Sequence, residues 1–167
     1  MNETEGPRDT VRERIVQQTI RLMQRMSPEE GDLLKWNAVV RESLESLSEE
    51  KVGDSVAGVF DTTETYQYLA NSLTECTLRL QIEYWYRVPV GREPSREMER
   101  IRGNLVKVMS KDQIVEDGTS ARLTQQVRLT QSDRDVEGPR DGYGGAYIEF
   151  SVVYRHRTGD PHRLISE

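Results

Sequence analysis

The sequence predicts an α+β protein: one domain holding a mixed, mostly antiparallel β-sheet of four to five strands flanked by two main helices. Three observations predict it. Residues 77–88 and 146–155 alternate apolar and polar side chains with period two, which marks half-buried strands. Residues 10–26 and 95–110 repeat apolar side chains at helical spacing. The chain has 167 residues, a length that suits one compact domain burying roughly two-thirds of its unfolded surface.

The elements follow in chain order. Residues 1–9 are polar and acidic and read as a flexible N-terminus, unlike a signal or transit peptide. A helix is expected over 10–26. Val11, Ile15, Thr19, Leu22, Met23 and Met26 form its apolar stripe, Thr10 and Glu13 have capping-box spacing, and Ser27-Pro28 ends it. Residues 32–48 read two ways. Leu33, Trp36, Val40, Leu44 and Leu47 share one helical face, whereas Val39-Val40 within 36–41 suits a short strand. Residues 48–54 read as a loop, and 56–60 as a short strand weakened by Gly58.

In the strand over 77–88, Leu78, Leu80, Ile82, Tyr84, Tyr86 and Val88 make the apolar face, and Trp85 interrupts the polar one. An exposed indole there marks a contact surface; one covered by a neighbouring loop is structural. Pro89–Pro94 makes a turn. The next helix, 95–110, buries Met98, Ile101, Leu105, Val108 and Met109 and carries Arg96, Arg100, Lys107 and Lys111 opposite them. Such a stripe is a solvated helix face, or a docking edge for an acidic partner. A strand is expected over 121–130, a long polar loop over 132–145, a strong strand over 146–155, and a polar C-terminal tail over 158–167.

Composition narrows the function. The net charge is −6 and the pI about 5.1, whereas proteins that grip DNA phosphates cluster Lys and Arg and are usually basic. Apolar residues make up 35 % and mean hydropathy is −0.74, which suits a flat sheet-and-helix domain or a subunit completed by its neighbours. No run reaches the roughly 18 apolar residues of a membrane span. The single Cys76 allows no internal disulfide and reads as a small apolar side chain. His156 and His162 fall in the polar C-terminal region and are expected to be solvated. Gly142–Gly145 precedes a strand, whereas phosphate-cradling loops follow a strand and open a helix. Asp133, Asp135 and Asp141 lack the spacing and closing glutamate of a calcium loop. The expectation is a chain that is not an enzyme, with no catalytic residues, metal or cofactor.

The order of elements, with Leu78–Val88 followed by Glu97–Ser110 and with the closing Asp141–Arg155, resembles the tail terminator (tail-completion, minor tail protein) family of long-tailed bacteriophages. The stretch Trp36–Phe60 is similar to that family's early strand pair, so the resemblance implies a strand at 36–41 where periodicity predicts a helix. It spans most of residues 10–160. It implies a homo-oligomer, a hexameric ring that caps the tail-tube protein, stops its polymerisation and docks the tail onto the head-tail connector or neck proteins. Double-stranded DNA would pass through the hole without specific binding. It also implies a place in the virion tail or neck after assembly in the host cytoplasm, with no membrane and no cofactor. On this view Trp85, Arg96, Arg100, Lys107, Lys111, Arg134, Asp135, Arg140, Asp141 and Tyr143 are the candidate contacts between subunits or with tube and connector. Another neck or tail-tube component, and a non-viral ligand-binding or regulatory module with an apolar pocket, are the alternatives.

Overall fold

The Thr10 hydroxyl accepts from the Glu13 amide (3.2 Å), which caps the start of helix α1 at Val11–Gln24. Only this half of the capping box forms, because the Glu13 carboxylate is occupied by Gln17 and Arg41. The computed structural model describes residues 9–48, 50, 52–111, 114, 122–136 and 138–165. Of the expected N-terminal stretch only Asp9 is among them.

After α1 come strand β1 (Ala38–Val40), β2 (Ser55–Leu69), β3 (Leu73–Arg87), helix α2 (Pro94–Lys111), β4 (Gln126–Val136), β5 (Tyr143–Arg157) and β6 (Asp160–Leu164). They build a six-stranded sheet in the order β1-β2-β3-β5-β4, with β6 also paired to β5. β1 lies parallel to β2, whereas the β2–β3, β3–β5, β4–β5 and β5–β6 pairings are antiparallel. The α+β class, the mixed and mostly antiparallel sheet and the two helices are therefore as the periodicities predict, with β6 as an addition.

Both helices lie on one face. The alternating residues Cys76, Leu78, Leu80, Ile82 and Tyr84 of β3 and Ala146, Ile148, Phe150, Val152 and Tyr154 of β5 are buried there. Val11, Ile15, Val16, Met23, Met98, Ile101, Leu105 and Met109 from the helices join them in one core. Trp36 completes it, edge-on to Tyr84 with ring centroids 6.0 Å apart.

Of the two readings of 32–48, the strand within 36–41 is present as β1 and the helix is not, because this segment wraps around the sheet edge; other expectations are corrected. Leu33, Trp36 and Val39 pack into the main core, whereas Ala38, Val40, Leu44 and Leu47 pack on the opposite face. The helical spacing thus mixes residues from two faces. Asn37 holds the segment extended, its side-chain oxygen accepting from the amides of Asp54 (3.0 Å) and Ser55 (2.9 Å).

The short strand at 56–60 is part of β2, which continues to Leu69 and returns through Asn71 and Ser72, both at positive φ, into β3. A β-bulge between Asp61 and Glu64 flips the alternation, so the distal half of β2 does not read as a continuation. The loop expected over 132–145 is shorter, because β4 runs to Val136 and β5 begins at Tyr143. β4 is Gln126–Val136 where 121–130 is expected, and two further bulges break its periodicity past Leu129; Ala121 lies outside the described residues.

The tail is not a tail. β6 pairs with β5, Arg14 donates to the His162 carbonyl (3.3 Å), and the Thr158 amide donates to the Ser72 carbonyl (2.7 Å). Consequently His156 is a buried residue of β5, donating from Nδ1 to the Arg157 carbonyl (2.8 Å), and His162 lies in β6.

Gly58 owes its identity to close approach. The connection from β1 to β2 crosses the sheet's other face, and a Cβ at Gly58 would stand 2.3 Å from the Glu42 carbonyl oxygen. Gly58→Ala is expected to cost about 1–3 kcal/mol, since backbone must move, and urea denaturation measures it. An unchanged midpoint would mean that the connection does not cross there.

Candidate interaction surfaces

The helix-free face of the sheet carries the polar half of each strand. Arg79 pairs with Glu149 (2.7 Å), and Thr130, at the bulge of β4, also donates to the Glu149 carboxylate (3.0 Å). Gln131 donates to the Tyr147 hydroxyl (2.6 Å) beside them. The side chains described on this face are charged and amide-rich.

One end of this face is covered by residues from 38–56. Leu44, Val52 and Val56 form a small second core there, and Trp85 and Tyr143 pack against it. Glu83 anchors the cover by accepting from the Ser43 hydroxyl (2.9 Å) and the Leu44 amide (3.0 Å). Trp85 is therefore a half-buried packing residue, as in the covered-loop reading. Tyr143 donates to the Gly53 carbonyl (2.5 Å), and the Arg140 guanidinium lies 5.2 Å from its ring centroid. Gly142, at φ +86°, makes the turn that brings this pair in. The structure thus brings Trp85, Arg140 and Tyr143 to one end of the sheet, with Asp141 exposed between the last two. Arg134 and Asp135 fall within β4, not in a loop.

The basic stripe belongs to the outer side of α2. Arg96, Arg100 and Lys107 are exposed, and Lys111 is the helix's last residue. Arg100 is also engaged within the chain: Glu97, almost fully buried, accepts from Arg100 (3.0 Å) and from Arg92 (3.2 Å). A depression of about 380 Å³ lies among these residues. A larger one, about 640 Å³, lies at the other end of α2 and is lined by Arg25, Glu29, Glu30, Asp32, Lys35 and Lys107 among others. Both have charged residues in their lining, and the larger also has Leu22, Met26 and Val108.

Among the described residues a polar network at the β2 bulge joins α1, β2, β5 and Arg41, just after β1. The Asp61 carboxylate accepts from Arg12 (2.5 Å) and Arg41 (2.5 Å), and Arg41 also reaches Glu13 (3.2 Å). Glu64 accepts from Arg12 (3.4 Å), Tyr66 (2.6 Å) and Tyr154. Burial opposes ionisation of Asp61 and Glu13, but hydrogen bonds outweigh it and hold both carboxyls below their ordinary range. The donors are chiefly Arg12 to Asp61, and Gln17 and Arg41 to Glu13. Beside this network burial pushes the Cys76 thiol up to about 11, which keeps it an unreactive thiol. Burial likewise raises Tyr84, whose hydroxyl donates to the Met98 carbonyl (3.1 Å), and burial with Glu64 raises Tyr154. Sequence reading missed this network. Its one visible trace is the carboxylate pair Asp61 and Glu64 inside a β-branched stretch, where it breaks the alternation.

Among the described residues no group of three or more His, Cys, Asp and Glu side chains is placed to hold a metal ion, and no helix is long and apolar enough to cross a membrane. One sheet, helices on one face and polar side chains on the other, define a two-layer α+β domain. No family model matches the chain, and no curated protein matches it.

Proposed function

We propose that this chain is a structural protein of a long-tailed phage virion, a subunit of a hexameric ring that caps the tail tube and joins it to the head connector. The observation that carries the reading is the distribution of polar surface. Among the described residues the helices cover one face of the sheet, the other face carries paired charges beyond its small second core, and the basic outer side of α2 lies beside two depressions with charged residues in their lining. A protein that ends a polymer works by surface complementarity, and charge patterns on such surfaces set register and partner choice more than affinity. Arg96 and Lys107 fit an acidic partner surface on this reading, and the negative net charge lets DNA pass without sticking.

The test is assembly with purified tail-tube protein, followed by negative-stain imaging of tube lengths. Added below the tube protein's concentration, the chain is expected to yield tubes closed at one end by a single ring and to arrest their growth. Unchanged lengths with no end density would overturn the reading. Growth of the chain itself into long tubes would instead assign it as tube protein.

A further inference from the structure

Among the described residues the sheet has two outer edges without a neighbouring strand. On one side β1 covers β2 only at Val56–Gly58, which leaves residues 62–69 open; on the other, nothing lies beyond β4. Open edges in monomers are normally guarded by lysine, proline or charge that resists pairing. The run Thr62-Thr63-Glu64-Thr65-Tyr66-Gln67-Tyr68-Leu69 has no lysine, arginine or proline. Its one carboxylate is turned inward to Arg12 and Tyr154. What remains is rich in threonine and tyrosine, residues that favour strand pairing.

The exposed apolar side chains point to the same edges. Of the four large hydrophobic residues that stand exposed among the described residues, Tyr66 (58 %) and Tyr68 (77 %) lie on β2 and Leu129 (40 %) on β4. Tyr66 is opposite Cys76, Tyr68 opposite Thr74 and Leu129 opposite Phe150, so all three project on the helix-covered face.

Strand direction supplies the last constraint. β2, β3, β5 and β4 alternate in direction across the sheet, so β4 runs opposite to β2. If β4 of a second copy lies beside β2 with its helices on the same side, the antiparallel alternation continues unbroken. Tyr66 and Tyr68 then share a face with Leu129.

We propose that the open edge of β2, residues 62–69, is completed by the β4 edge of a second copy of this chain. Each copy uses one edge to accept and the other to donate, a head-to-tail contact that closes into a ring when the rotation permits. The pairing stands on the two edges; only its closure into a ring rests on the function proposed above. Pairing of β2 with β2 of another copy would end at a dimer and leave Leu129 uncovered.

The experiment measures the mass of the full-length chain in solution against two blocked-edge variants, Gln67→Lys/Tyr68→Lys on β2 and Leu129→Lys on β4. Each variant alone is expected to be monomeric with an unchanged circular dichroism spectrum, its self-association weakened at least about tenfold, the loss of roughly 1.4 kcal/mol. Mixed, the two are expected to form a one-to-one pair that grows no further, since each retains the edge the other lacks. A Leu129→Lys variant that still dimerises would overturn the proposal in favour of β2-to-β2 pairing. An oligomer that both variants leave intact would overturn the edge assignment while leaving the ring reading standing. An unmodified chain that is monomeric both alone and with tube protein would overturn both. If a variant fails to fold, amide hydrogen exchange on the unmodified oligomer decides. Protection of the amides of residues 62–69 that is lost on dilution supports the pairing, and fast exchange within the oligomer rejects it.

Discussion

Truncating Phe150 to alanine is expected to cost about 3–5 kcal/mol of folding stability, enough to unfold a domain of ordinary marginal stability at 37 °C. Phe150 lies at the middle of β5, between Leu80 of β3 and Leu129 of β4, and is fully buried beneath the helix layer. The cost has two parts: the lost transfer of the ring out of water, and a cavity that neighbours in a twisted sheet cannot collapse to fill. Phe150→Leu keeps most of the volume and is expected to cost less than half as much. Urea denaturation followed by tryptophan fluorescence reports the change, since Trp36 is buried in the same core. A loss for Phe150→Ala no greater than that for the leucine variant would mean that this position is not packed as described.

Asp61→Asn is expected to lower stability by about 2–3 kcal/mol at pH 7 and by much less in acid. Asparagine keeps the shape but leaves Arg12 and Arg41 facing a neutral group. Both guanidiniums are about a third exposed (36 %), so solvent screening keeps the cost below that of a fully buried pair.

The pH dependence separates charge from packing. The folded Asp61 and Glu13 carboxyls lie below their ordinary values. The folded state therefore binds fewer protons than the unfolded chain where the unfolded carboxyls titrate, near pH 4. Their contribution is complete above that range and is lost as pH falls through the lower folded values. The unmodified and Asp61→Asn stability curves are thus expected to differ at neutral pH and to converge in acid. Parallel curves across that range would show that the aspartate acts through shape alone.

Much of this fold can be read from residues. The alternation in 77–88 places Leu78, Leu80, Ile82 and Tyr84 on one face, and they are buried there. The spacing of Val11, Ile15 and Met23, and of Met98, Ile101 and Leu105, likewise predicts the helices and their buried sides. Where reading failed, a local pattern had been broken by a bulge or divided between two faces. The bulge at Asp61–Glu64 turns the alternation of β2 over, so residues beyond it look irregular although they are paired along their length. Residues 32–48 feed two cores in turn, which is why helix and strand could both be read there and only the strand, β1, is present. For the candidate surfaces, the basic stripe on α2 is visible at helical spacing. Trp85, Tyr143 and Arg140 are far apart in sequence, and only folding shows that they meet beside Gly53.

By itself, then, the sequence determines the α+β class, the two helices and which sides of α1, α2, β3 and β5 turn inward. Those features depend on contacts a few residues apart and on burial of one face, and both are written in periodicity. The tertiary structure decided that β1 is a strand, that 160–164 closes the sheet, and that Arg12, Arg41, Asp61 and Glu64 form one network. It also decided which edges stay open. Each of these depends on which distant segments become neighbours. A carboxylate is guarded, buried or free, and an edge covered or exposed, only once the rest of the chain has taken its place.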